Sequence, residues 1–322
     1  MKTILSIGLI LLTACGLWGC KQHSPAADSG KLQVVTTLFP LYDFSRQVGG
    51  DKADVSLLLP PGVEAHSFEP KPGDIVKISK GDVFIYTGPF MEPWVGDVLA
   101  GVINKKLVVI DASKGIQLAG EEGHEEEGHD EHEDEHHHHG GMDPHIWVDP
   151  VLAQQIVNTI ADGFAQKDPA NKEFYLANAK FYTEKLAALD AEIRQTLGTC
   201  KNKTILYGGH FAFGYFARRY GLQYLSPYAG FAPDAEPTPR KIAEMIEKMK
   251  SLGSSYIFYE ELLEPRVAKV IAESTGAKLL LLHGAHNVSR EELEKGTTYL
   301  EIMQGNLERL KLGLDCQELK TQ

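Results

Sequence analysis

Apolar positions along the chain fall into two alternating rhythms. Runs rich in β-branched and apolar residues, Leu32–Leu38, Ala53–Leu59, Val83–Thr87 and Leu107–Ile110, read as strands. Between them, segments 41–49, 72–80 and 92–103 carry helical spacing. The second half repeats the theme. Strands are expected at Thr204–Tyr207, Gln223–Leu225, Tyr256–Tyr259 and Lys278–Leu282, and helices at 211–220, 239–251, 265–275 and 297–312. This alternation predicts an α/β fold with mostly parallel sheets covered by helices on both faces.

Between the halves, segment 170–198 has no Pro, and its first Gly is Gly198. Tyr175, Ala179, Tyr182, Leu186, Leu189, Ile193 and Leu197 recur at spacings of four and three, which makes one apolar helical face. A helix of this length spans roughly 40 Å at ~1.5 Å per residue. The expected architecture is two lobes, each a mostly parallel β-sheet flanked by helices, joined by one long rigid helix. The N-terminal lobe covers 32–168, the linking helix 169–199 and the C-terminal lobe 200–316. A helical connector of this kind restrains large hinge closure.

The N-terminus reads as an export signal. Lys2 is followed by 16 uncharged, mostly apolar residues, Ile4 to Gly19. That run is short of the ~20 residues a membrane span needs. It ends in Leu17-Trp18-Gly19-Cys20, similar to a lipobox, so segment 1–20 is expected to be a lipoprotein signal with Cys20 lipidated. Leu12-Thr13-Ala14-Cys15 is the alternative site. Residues 21–31 are polar and tether-like. Processing leaves Cys200 and Cys316, and in an oxidising compartment an even pair suggests a disulfide.

The net charge is −12, but segment 121–139 alone holds ten acidic residues and no Lys or Arg. The rest of the chain is close to neutral, which argues against a nucleic-acid surface. The same segment carries seven histidines, His124, His129, His132, His136, His137, His138 and His139, and no hydrophobic residue. It is expected to be a disordered loop, 121–140, that binds additional metal weakly.

Outside that tract and His23, five histidines remain: His66, His145, His210, His283 and His286. His66 follows the strand 53–59, His210 follows the strand ending at Tyr207 through Gly208-Gly209, and His283 directly follows 278–282. The C-terminal edge of a parallel sheet is where ligands bind. His145 precedes a helix in Asp143-Pro144-His145-Ile146-Trp147. Each half offers two imidazoles, the second through either His283 or His286. Four imidazole nitrogens suit tetrahedral Zn²⁺ at ~2.0–2.1 Å.

These motifs resemble the zinc/manganese-binding lipoproteins of bacterial ABC importers over about 31–314. The resemblance rests on Gly62 with His66-Ser67-Phe68-Glu69-Pro70, Asp143-Pro144-His145-Ile146-Trp147, Gly209-His210-Phe211-Ala212-Phe213 and Glu236-Pro237-Thr238-Pro239. The acidic, His-rich insertion is similar to that of the zinc-selective members. The resemblance implies two α/β lobes with the metal in the cleft between them, and His66, His145 and His210 as ligands. The family's fourth ligand is commonly an Asp after the strand that here is 278–282, and this chain has none there. Aligning forward from the strand points to His283. Aligning backward from Gly296-Thr297-Thr298-Tyr299 points to His286, which is preferred. A His in place of Asp favours Zn²⁺ over Mn²⁺. Glu64 is a candidate weak ligand or a base near a bound water.

The expected function is high-affinity zinc capture outside the cytoplasmic membrane and delivery to an ABC-type permease. The protein would be a membrane-anchored lipoprotein, periplasmic or at the cell surface, and a monomer. Ligating imidazoles must be neutral, so affinity is expected to fall as pH drops through ~6.5. The alternatives are a manganese or iron importer component, a zinc-dependent hydrolase and a surface adhesin. Outside segment 121–139 the chain has no HExxH, and it has no nucleophile elbow, so it is read as no enzyme.

Overall fold

Four short apolar runs in the first half pair side by side, each followed by a helix that covers the sheet. In chain order these are β1 (Leu32–Thr36), α1 (Phe39–Gly49), β2 (Ala53–Leu57), α2 (Pro72–Lys80), β3 (Val83–Tyr86), α3 (Val95–Gly101) and β4 (Val108–Asp111). This is a computed structural model that describes residues 30–120, 141–210, 212–228, 230–231 and 237–317. The expected signal peptide, Cys20 and Cys15, most of the tether and the His-rich tract lie outside the described residues. So do Phe211 and Glu236 of the resembling motifs.

The first sheet has the order β2-β1-β3-β4 and is parallel throughout. Val34 pairs with both Val55 and Val83, and Ile85 pairs with Ile110. The central strands β1 and β3 are largely buried and read as continuous apolar runs, while the edge strands β2 and β4 are partly exposed.

Two helices follow, α4 (Pro150–Lys167) and α5 (Lys172–Gly198). Asp149 caps α4 by accepting from Val151 N–H at 2.8 Å, with Pro150 at the first helical position. All seven apolar residues predicted to share one face of α5 are buried. That face packs along α4 and α1 and meets α10.

The second half contains β5 (Thr204–Leu206), α6 (Gly214–Tyr220), β6 (Gln223–Leu225), α7 (Pro239–Leu252), β7 (Tyr256–Tyr259), α8 (Arg266–Thr275), β8 (Lys278–Leu281), α9 (Arg290–Lys295) and α10 (Tyr299–Gly313). β5 pairs with β6 and β7 with β8, all parallel. A parallel bridge between Tyr207 and Phe258 joins the pairs. The resulting order, β6-β5-β7-β8, repeats that of the first sheet. No helix among the described residues is long and apolar enough to cross a membrane.

The strand and helix positions agree with expectation to within a few residues. The differences have local causes. α1 starts two residues earlier than the apolar pattern suggested, because Pro40 fits the first turn of a helix. α3 starts after Glu92, whose buried carboxylate takes the N–H groups of Thr87 and Gly88 at 3.1 Å. A disulfide joins Cys200 to Cys316 and ties the end of α5 to the end of α10.

Candidate metal centre

Each half delivers two histidines to one point. His66 sits on the loop after β2. Asn287 holds that loop by donating to the carbonyls of Pro60 at 2.7 Å and Val63 at 2.9 Å. Glu64 braces it from within: its two oxygens accept the N–H groups of His66 and Ser67, both at 2.8 Å. His145 lies just before α4 and is completely buried. His210 follows β5 through Gly208-Gly209. A Cβ on Gly209 would stand 2.9 Å from the Glu260 carboxyl carbon, so only glycine lets the chain pass that close. His286 follows β8 through a loop whose backbone is fastened to the first half. Trp147 Nε1–H donates to the Gly284 carbonyl at 2.7 Å, and Phe39 N–H to the His286 carbonyl at 3.2 Å.

The centroids of the four rings lie 5.0 to 5.6 Å apart across all six pairs. One ligand atom from each of His66, His145, His210 and His286 falls within 4.8 Å of the others. His66 Nε2 and His145 Nε2 are 3.2 Å apart. Nitrogens on a tetrahedral zinc stand roughly 3.3 Å apart, given Zn–N bonds of about 2.0–2.1 Å. No pair therefore has far to move to close around an ion.

On three of the four rings the opposite nitrogen is held by a carboxylate. His145 Nδ1 meets Asp143 Oδ1 at 2.7 Å, His210 Nδ1 meets Glu260 Oε2, and His286 Nδ1 meets Glu261 Oε1 at 3.1 Å. An Nδ1–H given to a carboxylate leaves Nε2 as a bare lone pair aimed inward. His210 Nε2 and His286 Nε2 are buried with no hydrogen-bond partner. Two orphaned acceptors facing two further imidazoles fit a cation.

Burial pushes His66 down to about 2, and the neighbouring His286 and His210 add to the shift. His145 lies well below its usual value for the same reasons. Burial also presses on His286, but its hydrogen bond to Glu261 and that group's charge prevail and raise it. Burial lifts Asp143 to about 7 against the His145 N–H that it accepts. Two imidazoles held neutral by burial, with three acidic side chains behind the rings, make a pocket suited to a divalent ion.

The structure thus brings together the four preferred histidines. His283 lies outside the group: its Nδ1 accepts from the N–H of Ala285 at 3.0 Å. Glu64 also stands outside it, with both oxygens committed to the backbone. Glu260 and Glu261 escaped the sequence reading. Their only signal is a tandem acid at the C-terminal end of β7, the same edge that carries the histidines.

Sequence and structure comparisons agree with this geometry. The chain is 42% identical over 310 residues to the high-affinity zinc uptake system protein ZnuA of Bacillus subtilis, covering 94% of this chain and 96% of that one. It is 37% identical over 309 residues to the zinc-binding lipoprotein AdcA of Streptococcus pneumoniae, but spans only 61% of that longer protein. The Zn(II)-bound ZnuA-like domain of Streptococcus pneumoniae AdcA superimposes with a TM-score of 0.74 at 34% identity, over 89% of this chain and all of that domain. Residues 34–313 match the family profile described as zinc-uptake complex component A, periplasmic, and the chain belongs to that ZnuA family.

Proposed function

We propose that the protein captures one Zn²⁺ between lobes 32–168 and 200–316, joined by α5, with His66, His145, His210 and His286 as ligands. It then delivers the ion to the permease of an ABC importer. It works as a monomeric lipoprotein anchored through Cys20, in the periplasm or at the cell surface. The observation that carries this reading is the convergence of four imidazoles from both halves on one point.

Two features of the donor set favour this function over its rivals. A catalytic zinc keeps a position open for water, whereas four imidazoles fill a tetrahedral shell, so capture rather than hydrolysis is supported. All four donors are nitrogen, and Mn²⁺ prefers carboxylate oxygen.

Dialysed protein titrated with zinc against a chelator of known affinity tests the reading. One tight site is expected, and His66→Ala or His286→Ala should weaken it sharply. Failure of the dialysed protein to take up zinc at neutral pH would refute it.

A further inference from the structure

The loop that carries His286 is strained. Ala285 has φ 59°, a left-handed conformation that a residue with a Cβ seldom adopts. A Cβ on Gly284 would stand 2.5 Å from His286 Cε1, so the ring folds back closely over its own backbone. Such a conformation persists only where its surroundings hold it.

Glu261 holds the loop on either side of Ala285, accepting Gly284 N–H at 2.6 Å and His286 N–H at 3.3 Å, and His283 holds Ala285 itself. His283 is 4% exposed, and its backbone is clamped twice by the Asn306 side chain, which accepts from His283 N–H and donates to its carbonyl, both at 2.8 Å. Its Nδ1 accepts the N–H of Ala285 at 3.0 Å. Glu261 Oε1 stands farther from that nitrogen, at 3.5 Å, and already holds His286. His283 Nε2 is buried without a hydrogen-bond partner, its nearest acid being Glu292 at 3.9 Å.

A side-chain acceptor that takes the N–H two residues on is the turn Asn and Asp make, and it stabilises the backbone that follows. Imidazole Nδ1 and amide Oδ1 are both bonded to Cγ, so either can close the same ring. We infer that His283 is a positioning residue for the fourth ligand: its Nδ1 holds Ala285 left-handed and so aims His286 Nε2 at the other three imidazoles. The inference rests on the reading of His286 as a ligand.

The test measures zinc affinity by chelator competition, and the visible absorption of bound Co²⁺ as a gauge of four-coordination. His283→Leu puts a methyl where the acceptor stood. It should weaken zinc by about 10–100-fold, the usual effect of removing a ligand's support. It should also diminish the tetrahedral Co²⁺ bands while the metal-free protein stays folded. His283→Asn keeps the acceptor and should retain both affinity and spectrum. Because His283 acts only through His286, the His283→Leu/His286→Ala double variant should bind no worse than His286→Ala.

Wild-type affinity and bands in His283→Leu would overturn the inference, as would an additive loss in the double variant. If His283→Leu does not fold, His283→Asn decides: folded protein without the tetrahedral bands overturns it. Undiminished zinc binding by His286→Ala would overturn the ligand reading, and the inference with it.

Discussion

Glu260 and Glu261 are adjacent at the end of β7 yet grip different imidazoles: Glu260 meets His210 Nδ1 and Glu261 meets His286 Nδ1. Their alternation out of the strand lets one short segment fix the tautomer of both second-half histidines. Both carboxylates are nearly buried. Their charge, a little over one ring away, faces the incoming cation.

Replacing either acid by its amide keeps an acceptor for Nδ1–H but removes the charge. Glu260→Gln and Glu261→Gln should each weaken zinc by about 10–100-fold. Chelator competition reads the effect. Affinities unchanged from the parent in both variants would mean that these acids only fill space.

The pH response of zinc binding has a definite sign. His66, pushed to about 2, and His145, also depressed, stay neutral in the folded protein, whereas the unfolded chain protonates both below about 6.5. Their contribution to stability is present above about 6.5 and is lost as pH falls toward the folded values. His286 is raised, so its contribution has the opposite sense: present below about 6.5 and lost as pH climbs through its folded value. Asp143 and Glu92, both lifted by burial to about 7, oppose the two depressed histidines between about pH 5 and about pH 7, because they keep protons in the folded protein that the unfolded chain has released. In the folded protein, His66 and His145 need no deprotonation before binding, but His286 does. Zinc affinity should therefore begin to fall at a pH above about 6.5, the free-histidine value. Affinity constant down to about pH 6 would contradict this assignment.

Much of this site was legible in the sequence, for a physical reason. The strands are short runs rich in β-branched and apolar residues bounded by turn-forming residues, so their ends, and the histidines just beyond them, are easy to place. The preference for His286 over His283 came from the resemblance and not from the residues themselves. The two histidines lie three residues apart, and what separates them is the left-handed backbone of Ala285, a residue with no turn signature of its own. The carboxylate partners were equally hidden, since the contact of His210 with Glu260 spans 50 residues. α9 is too short for periodicity to reveal. Its one local cue was the Ser289–Glu292 capping box, in which Ser289 accepts from Glu292 N–H at 3.2 Å.

The disulfide should matter for stability and not for metal. Cys200 and Cys316 are 116 residues apart, and a loop of that length corresponds to roughly 4–5 kcal/mol in the chain-entropy account. Backbone bonds from Lys201 to Asp315 at 3.2 Å and Asn202 to Leu314 at 3.1 Å already close the same seam. These bonds remain when the bridge is removed, so the native seam should persist without it. Cys200 precedes β5 and His210 follows it, so the bridge and the metal centre lie at opposite ends of one strand. Cys200→Ser/Cys316→Ser should melt several degrees lower with unchanged zinc affinity. A parallel loss of affinity would show that the bridge positions His210.

The ends of the His-rich insertion are pinned beside the centre. Gly120 and Met142 form an antiparallel bridge, and Asp143 N–H donates to the Ala119 carbonyl at 2.8 Å. The hydroxyl of Tyr215, from the other half, accepts from Ala119 N–H at 2.9 Å and donates to the Asp143 carbonyl at 2.8 Å. One phenol thus fastens both ends of the insertion next to the carboxylate that orients His145. These contacts join residues on either side of the insertion directly, so deleting 121–139 should leave the fold and the tight zinc site intact. What should vanish is a set of weaker sites, because that segment carries seven histidines and ten acids. Calorimetric titration of the two proteins separates the outcomes: a tight phase shared by both, and a weak phase confined to the full chain. Disappearance of the tight phase on deletion would place a ligand inside the tract and refute the four-histidine centre.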